Sequence, residues 1–350
     1  MQLQAPKFWE SKGLVAYLLW PLSCIYGLVT RIRKLLFQIK LLPSQQLPVP
    51  VIFIGNIRVG GTGKTPCVIA LARALQHKGF QPGVMTRGYR SQLSSDQTKE
   101  VFTTDQAVAV GDEALLMALH LQSLQIPVWI GSNRFLVGQH LLEKYTSCDV
   151  IISDDGLQHY ALGRQAARHG GKDIEIIVRD ARGEGNELLL PAGPLREPTT
   201  RARDITLDMK IISTDHDASM HDLVPAPQHF LIPCYMPHAY QLINPAVTQD
   251  LKSWSGKRIL AVAGIAAPEK FFKPLRDLGL DIECQALEDH ANLSSFNWNQ
   301  YPPSAIDVIF MTEKDAVKCK DLQDDRIWVV PLEAVIPNKL IDFISEILQR

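Results

Sequence analysis

An apolar run, Val51-Ile52-Phe53-Ile54-Gly55, leads directly into Asn56-Ile57-Arg58-Val59-Gly60-Gly61-Thr62-Gly63-Lys64-Thr65. No other feature constrains the chain as tightly. The order predicts a buried strand, a glycine-rich turn and a helix over 66–78. Glycines let backbone N–H groups turn inward without a Cβ clash. The helix that follows points its positive dipole end at the same spot. Gly60, Gly61, Thr62 and Gly63 then form a phosphate cradle, Lys64 reaches the outer phosphates, and the Thr65 hydroxyl is placed to bind Mg²⁺. Pro66 suits the first helical turn, where its missing N–H costs nothing. The usual pattern has a glycine six residues before the lysine; in this chain that position is Arg58. The Gly60-Gly61 pair is expected to supply the same freedom, and the chain to bind a nucleoside triphosphate.

Strand and helix signals alternate beyond this point. Strands are expected at 82–86, 127–130, 150–153 and 174–178, and helices at 111–121 and 133–144. Such alternation predicts an α/β fold with a doubly wound parallel sheet of the P-loop NTPase type. Ligands bind such sheets at the carboxyl ends of the strands, so the polar clusters after those strands should converge on one crevice. A smaller α/β domain is expected over 256–350, after a connecting segment at 215–255. The main domain would be 47–214 and an N-terminal arm 1–46. A chain of 350 residues, 46% of them hydrophobic, is long enough for two cores.

Lys+Arg is 36 and Asp+Glu is 37, a balance that leaves no nucleic-acid footprint. Six cysteines are scattered with no CxxC pair, which fits a reducing compartment and argues against a disulfide or zinc framework. The arm breaks this uniformity. Gly13 to Thr30 carries no charge, and Arg31, Arg33, Lys34 and Lys40 follow. A secretory signal would place its charges first. A spanning helix needs ~20 apolar residues, and Pro21 interrupts this run. A buried core helix is a further reading. The preferred reading is a helix at the membrane face, with Trp9, Tyr17, Trp20 and Tyr26 at the interface and the basic cluster on acidic head groups. The body of the chain is then expected at the cytoplasmic face of the inner membrane, with the membrane surface as a partner and no obligate protein partner.

Asp154-Asp155 closes an apolar strand, which is where a carboxylate holds Mg²⁺ opposite a phosphate cradle. An Asp-Asp-Gly turn is also a common link between elements. Asp112 and Glu113 open a helix, so capping alone would explain Asp112; a base oriented by a histidine such as His290 is the alternative. Arg87, Tyr89, Arg90 and Arg196 suit an anionic ligand, because the guanidinium fork matches phosphate. Ordinary surface ion pairs explain such residues equally well, Lys314 included.

These segments together resemble the tetraacyldisaccharide 4′-kinase family of lipid A biosynthesis. The matching pieces are Gly55-Asn56 with Val59 to Pro66, Arg87-Gly88-Tyr89-Arg90, Gly111-Asp112-Glu113, Ser153 to His159, Gly185-Asn186 with Leu190 to Pro198, and Thr312 to Lys318. They stand in the family's order and span almost the whole chain. The resemblance implies ATP and Mg²⁺ as cofactors. It implies the 4′-hydroxyl of a tetraacylated glucosamine disaccharide 1-phosphate as acceptor. Lys64 and Thr65 would hold phosphate and metal, with Asp154 and Asp155 in the metal and catalytic region. Asp112 resembles the family's base, paired with His290, and Glu113 a metal-side carboxylate. Arg87, Tyr89, Gln158, His159, Asn186 and Arg196 would line the head-group site. The chain departs from the family at Arg58, usually a small residue or threonine, and at Ala266-Ala267-Pro268 and Glu288-Asp289-His290-Ala291. A P-loop switch ATPase or GTPase acting on a protein at the membrane is the alternative, and it has no need of the Arg87–Arg90 or Pro191–Pro198 segments.

Overall fold

The computed structural model describes residues 6–212, 228–289, 291, 293, 296–319 and 321–350. Its main sheet grows from β1 (Val51–Gly55), buried at all five positions. A strand covered on both faces needs such an unbroken apolar run. β1 pairs in parallel with β5 (Val150–Asp154) on one side and with β6 (Ile174–Arg179) on the other. Beyond β5 lie β2 (Pro82–Thr86), β4 (Val128–Gly131) and the antiparallel edge β3 (Thr98–Glu100). Beyond β6 lie β7 (Ile205–Ile211) and β8 (His229–Tyr235). The chain therefore changes direction across β1, and the loop after β1 opens at the switch point where ligands bind.

Helices α2 (Lys64–His77), α4 (Asp112–Leu121) and α5 (Arg134–Lys144) cover this sheet, with the short α3 (Ala107–Val110) leading into α4. The expected elements of this region lie within a few residues of their positions. β7 and β8 are additions to that expectation, and β8 lies inside the expected connecting segment. Residues 213–227 of that segment lie outside the described residues.

A second sheet of six strands has the order β10-β9-β14-β13-β11-β12. It is built from β9 (Ala239–Gln241), β10 (Thr248–Gln249), β11 (Ile259–Ala263), β12 (Ile282–Ala286), β13 (Val308–Thr312) and β14 (Ile327–Val330), with α6 (Glu269–Asp277) and α7 (Glu313–Ala316). The chain then returns to the first sheet. β15 (Glu333–Ala334) pairs with β8, and Leu340, Ile341 and Ile344 of α8 (Asn338–Leu348) are buried in the core of the P-loop domain. β15 and α8, both within the expected 256–350 unit, thus lie against the first sheet.

The arm has a short 3-10 turn, Lys7–Trp9, and one long helix, α1 (Leu14–Gln38), that buries only Ala16, Ser23 and Gly27. These small residues lie on one face and let the backbone approach the 186–196 loop. Ser23 Oγ donates to Leu189 O at 2.8 Å and accepts from Ala192 N at 2.9 Å. A Cβ on Gly27 would sit 2.7 Å from Leu189 Cδ1. Leu19, Tyr26, Leu36 and Phe37 are half-buried, and Leu18, Trp20, Leu22, Ile25, Leu28 and Val29 are exposed. Among the described residues this is the one helix long and apolar enough to cross a membrane.

A buried charge network fixes the loop after β5. Glu175 on β6 pairs with Arg201 (2.8 Å), Arg164 (2.6 Å) and Arg168 (2.7 Å). Arg164 and Arg201 also donate to the carbonyl of Leu157, so the turn following Asp154-Asp155 hangs on them. Burial works against the charge on Glu175, yet the arginines, Arg201 foremost, hold its carboxyl down at about 2. A folded-state value below the unfolded one stabilises the protein fully above the unfolded carboxylate pKa; that stability is lost as pH falls toward 2. Glu175→Gln removes the effect and strands buried arginines, at a cost of about 3–5 kcal/mol. Urea midpoints measured between pH 7 and pH 3 should fall steeply for the wild type and less steeply, from a lower start, for the variant.

Candidate active site

The cradle is closed by Asn56. Its side-chain amide donates to Arg58 O (2.7 Å) and Gly60 O (3.0 Å), and its oxygen accepts from Lys64 Nζ (3.2 Å). Gly63 precedes α2 with φ of 88°, a conformation glycine adopts without strain. Lys64 Nζ also lies 3.1 Å from Asp155 Oδ1. Gly60, Gly61, Thr62 and Gly63 form the turn itself, and Thr65 stands in the first turn of α2. Thr62 Oγ1 is buried and has no hydrogen-bond partner.

The acid pair faces this turn. Asp154, 2% exposed, accepts from Thr86 Oγ1 at 3.2 Å through Oδ2, while its buried Oδ1 has no hydrogen-bond partner. Burial pushes its carboxyl up to about 6; Lys64 pulls against this, and Glu113 and Asp155 add to it. Burial opposes ionisation of Asp155 too, but Lys64 and Arg196 outweigh it and hold the group below the usual carboxylate range. Asp155 takes the left-handed conformation (φ 50°), uncommon outside glycine, asparagine and aspartate. Arg134, buried beneath the pair, donates to Gly131 O and Asp154 O. Burial draws its guanidinium down to about 10, against the pull of Asp154 and Asp155.

Asp112 and Glu113 open α4, and Asp112 Oδ1 accepts from the Glu113 N–H at 2.9 Å. Gly111 before them has φ of 90°, and a Cβ there would meet Tyr89 O at 2.8 Å. The Arg87–Arg90 loop is thus pressed against the start of α4. Arg87 and Tyr89 are exposed, and Arg90 lies over the Tyr89 ring at 5.9 Å. With Ser91, Ser94 and Ser132 they line a cavity of about 280 Å³. His159 is within 2.8 Å of Ser132 O through Nε2, and burial lowers its pKa. Gln158 donates to Asn56 O and Glu197. Arg196 Nη1 lies 3.9 Å from Asp155 Oδ2. Asn186 differs from an open lining residue. It is buried, and its amide donates to Phe8 O and Ala192 O, bracing the arm against the loop behind the rim.

The second domain also contributes side chains, and one of them, Lys314, reads in the sequence as an ordinary surface ion pair. Lys314 Nζ is 2.9 Å from Glu113 Oε1 and 3.6 Å from Asp289 Oδ1. Burial disfavours its charge, but Glu113, Asp112 and Asp289 overcome this and raise its pKa. A residue that reads as surface decoration is a half-buried clasp across the two domains. His290 lies outside the described residues. Lys270 Nζ donates to Gly61 O (2.8 Å) and pairs with Asp180, as does Arg182. The sequence signal for Asp180 and Arg182 is their place immediately after a strand on the ligand side of the sheet. Asn56 stands in the same kind of place, directly after β1, whereas Arg134 gives no comparable signal.

Residues 15–349 match the family model for Tetraacyldisaccharide-1-P 4′-kinase. The chain belongs to this family. The tetraacyldisaccharide 4′-kinase of Polynucleobacter asymbioticus is 44% identical over 359 residues, covering 99% of this chain and 96% of that protein. That of Herminiimonas arsenicoxydans is 42% identical over 352 residues, covering 97% and 94%. The crystal structure of an "apo" form of LpxK from Aquifex aeolicus in complex with ATP superposes with a TM-score of 0.72 at 25% identity, over 96% of this chain and all of that one.

The fit to Mg²⁺ is set by the donors. Among the described residues no group of three His, Cys, Asp or Glu side chains could hold a metal alone. Kinase Mg²⁺ is held by one or two carboxylates together with substrate phosphates, so the unpartnered Asp154 Oδ1 beside the Lys64 turn is the kind of donor required. Lys314→Met should leave Glu113 without its clasp and lower the transfer rate at least tenfold. Binding of ATP, measured by calorimetry, should change less than about threefold. Lys314→Arg should recover part of the rate.

Proposed function

We propose that the chain transfers the γ-phosphate of ATP to the 4′-hydroxyl of a tetraacylated glucosamine disaccharide 1-phosphate, at the cytoplasmic face of the inner membrane. The observation that carries this reading is one juxtaposition. Lys64 is held between Asn56 and Asp155, while Asp112 begins the helix against which the Arg87–Arg90 loop is packed. Glu113, at the start of that helix, acts on the Asp154 carboxyl, which supports reading the two sides as donor and acceptor of one site.

In this reading Lys64 and the cradle N–H groups offset charge on the transferring oxygens. Asp112, with His290 as its expected partner, takes the proton of the attacking hydroxyl, a contribution of about 10²–10⁴-fold. Thr65, Asp154, Asp155 and Glu113 would hold Mg²⁺, which when bound neutralises phosphate charge. Arg87, Tyr89, Gln158, His159 and Arg196 orient the anionic head group, with Asn186 supporting them from behind. The arm's exposed apolar face lies in the membrane interface, so the lipid is met without leaving the bilayer. Second-domain contacts at Lys270 and Lys314 keep water from competing as acceptor.

Labelled γ-phosphate is followed from ATP to tetraacyldisaccharide 1-phosphate in detergent micelles. The wild type should give a bis-phosphorylated lipid. Lys64→Ala and Asp112→Ala should reduce it at least 100-fold, and Asp112→Asn should retain ATP binding. Chelation of Mg²⁺ should abolish transfer and its return restore it. ATP hydrolysis with no lipid product would instead favour a switch ATPase.

A further inference from the structure

Arg58 stands where the phosphate-binding pattern has glycine, and its side chain runs away from the Gly60–Gly63 turn to Glu10 and the carbonyls of Arg182 and Gly183. It is 3% exposed and runs to the N-terminal arm, pairing with Glu10. Nη1 donates to Arg182 O (3.1 Å) and Gly183 O (3.4 Å). Among the described residues Glu10 is the anion paired with this guanidinium, and Arg58 Nε is buried without a partner. The main chain of Arg58 belongs to the cradle, since Asn56 holds its carbonyl together with Gly60 O and Lys64 Nζ.

The loop on the far side closes a ring. Arg182, whose carbonyl receives Arg58, sends its own guanidinium to Gly61 O at 2.8 Å. Glu10 is fixed by its neighbours: Trp9 O accepts from Asn186 N (2.8 Å), and Trp9 Nε1 donates to Pro191 O (3.0 Å). The turn that wraps the phosphates is thus held at Arg58 and at Gly61 by one loop, and that loop is held by the arm.

We propose that the Glu10–Arg58 ion pair is a positioning device through which the docked arm sets the nucleotide affinity of the cradle. A buried guanidinium deprived of its anion is costly, so losing Glu10 forces Arg58 to move. Its backbone is part of the cradle and moves with it. Linkage makes the effect reciprocal: nucleotide binding tightens the arm segment as much as the arm tightens nucleotide. The inference rests on the reading of this cradle as the ATP site.

The test is binding of ATP with Mg²⁺ by calorimetry, on the full chain in detergent. Wild type, Glu10→Gln, Arg58→Met, the double variant and Lys12→Gln are compared. Lys12 also ties the arm to the loop, 3.4 Å from Glu187, but at an exposed pair. Glu10→Gln and Arg58→Met should each weaken ATP five- to twentyfold. The double variant should be no weaker than Arg58→Met, and Lys12→Gln should stay within twofold. In turnover the loss should fall on KM for ATP, with kcat within twofold. Hydrogen exchange of residues 7–13 should slow when ATP binds to wild type and not when it binds to Glu10→Gln. Glu10 is half exposed, so its variant folds even where Arg58→Met does not. Wild-type affinity in Glu10→Gln, or effects of the two substitutions that add, would overturn the coupling. Failure of wild type itself to bind ATP would overturn the ATP reading and the inference together.

Discussion

Parallel pairing of β1 with β5 sets Ile54 opposite Asp154, and the chemistry is laid out from that register. The two strands are far apart in sequence, so only the sheet brings the turn after β1 to the acids ending β5. A slip of one residue would turn the side chains of β5 to the opposite faces of the sheet. Asp154 would then leave the pocket where Thr86 receives it. Both strands are buried at every position, which fixes the register through packing on two sides. The 3.1 Å contact of Lys64 with Asp155 follows from this alignment and from the turn that Asn56 closes.

Such a site carries a cost in buried charge, and the surrounding structure offsets it with fixed partners. Asp154 is held against burial by Thr86 and by the nearby Lys64 and Arg134. The loop behind it is pinned by Glu175 and its three arginines. None of these four has a role in the proposed phosphate or lipid contacts, yet together they decide where Asp155 points. A half-satisfied network would be worse than an apolar core; in this one each carboxylate oxygen of Glu175 has an arginine nitrogen within 3 Å.

The cradle, the acid pair and most strands of the main sheet were legible because each is a local signal: glycines before Gly-Lys-Thr, carboxylates at the end of an apolar run, periodicity inside one element. What was not legible depends on return paths. β8 carries Pro233 within its run, and it is a strand because β7 and β15 flank it. α8 has a clear apolar face, but the sequence does not say which core it joins. Lys314 reads as a surface lysine because nothing local shows that α7 will meet α4. Arg58 looks like a defect in the phosphate turn, since its partner lies 48 residues away in the arm.

Those return paths also define how the two domains are joined. The chain crosses between sheets twice, at residues 236–238 and 331–332. The crossings are neighbours: β8 pairs with β15 on one side and β9 with β14 on the other, both antiparallel. The connection is therefore a two-stranded ribbon, and any relative movement of the domains passes through it. Away from that ribbon His120 of α4 meets Glu313 of α7, and two lysine contacts join the domains, Lys314 on Glu113 and Lys270 on Gly61. One contact lies beside the proposed base and the other on the phosphate turn. A movement that opened the small domain would have to strip both lysines of their partners, and each is buried enough for that loss to matter. The position of the small domain is therefore fixed by charged groups that border the phosphate turn and the start of α4.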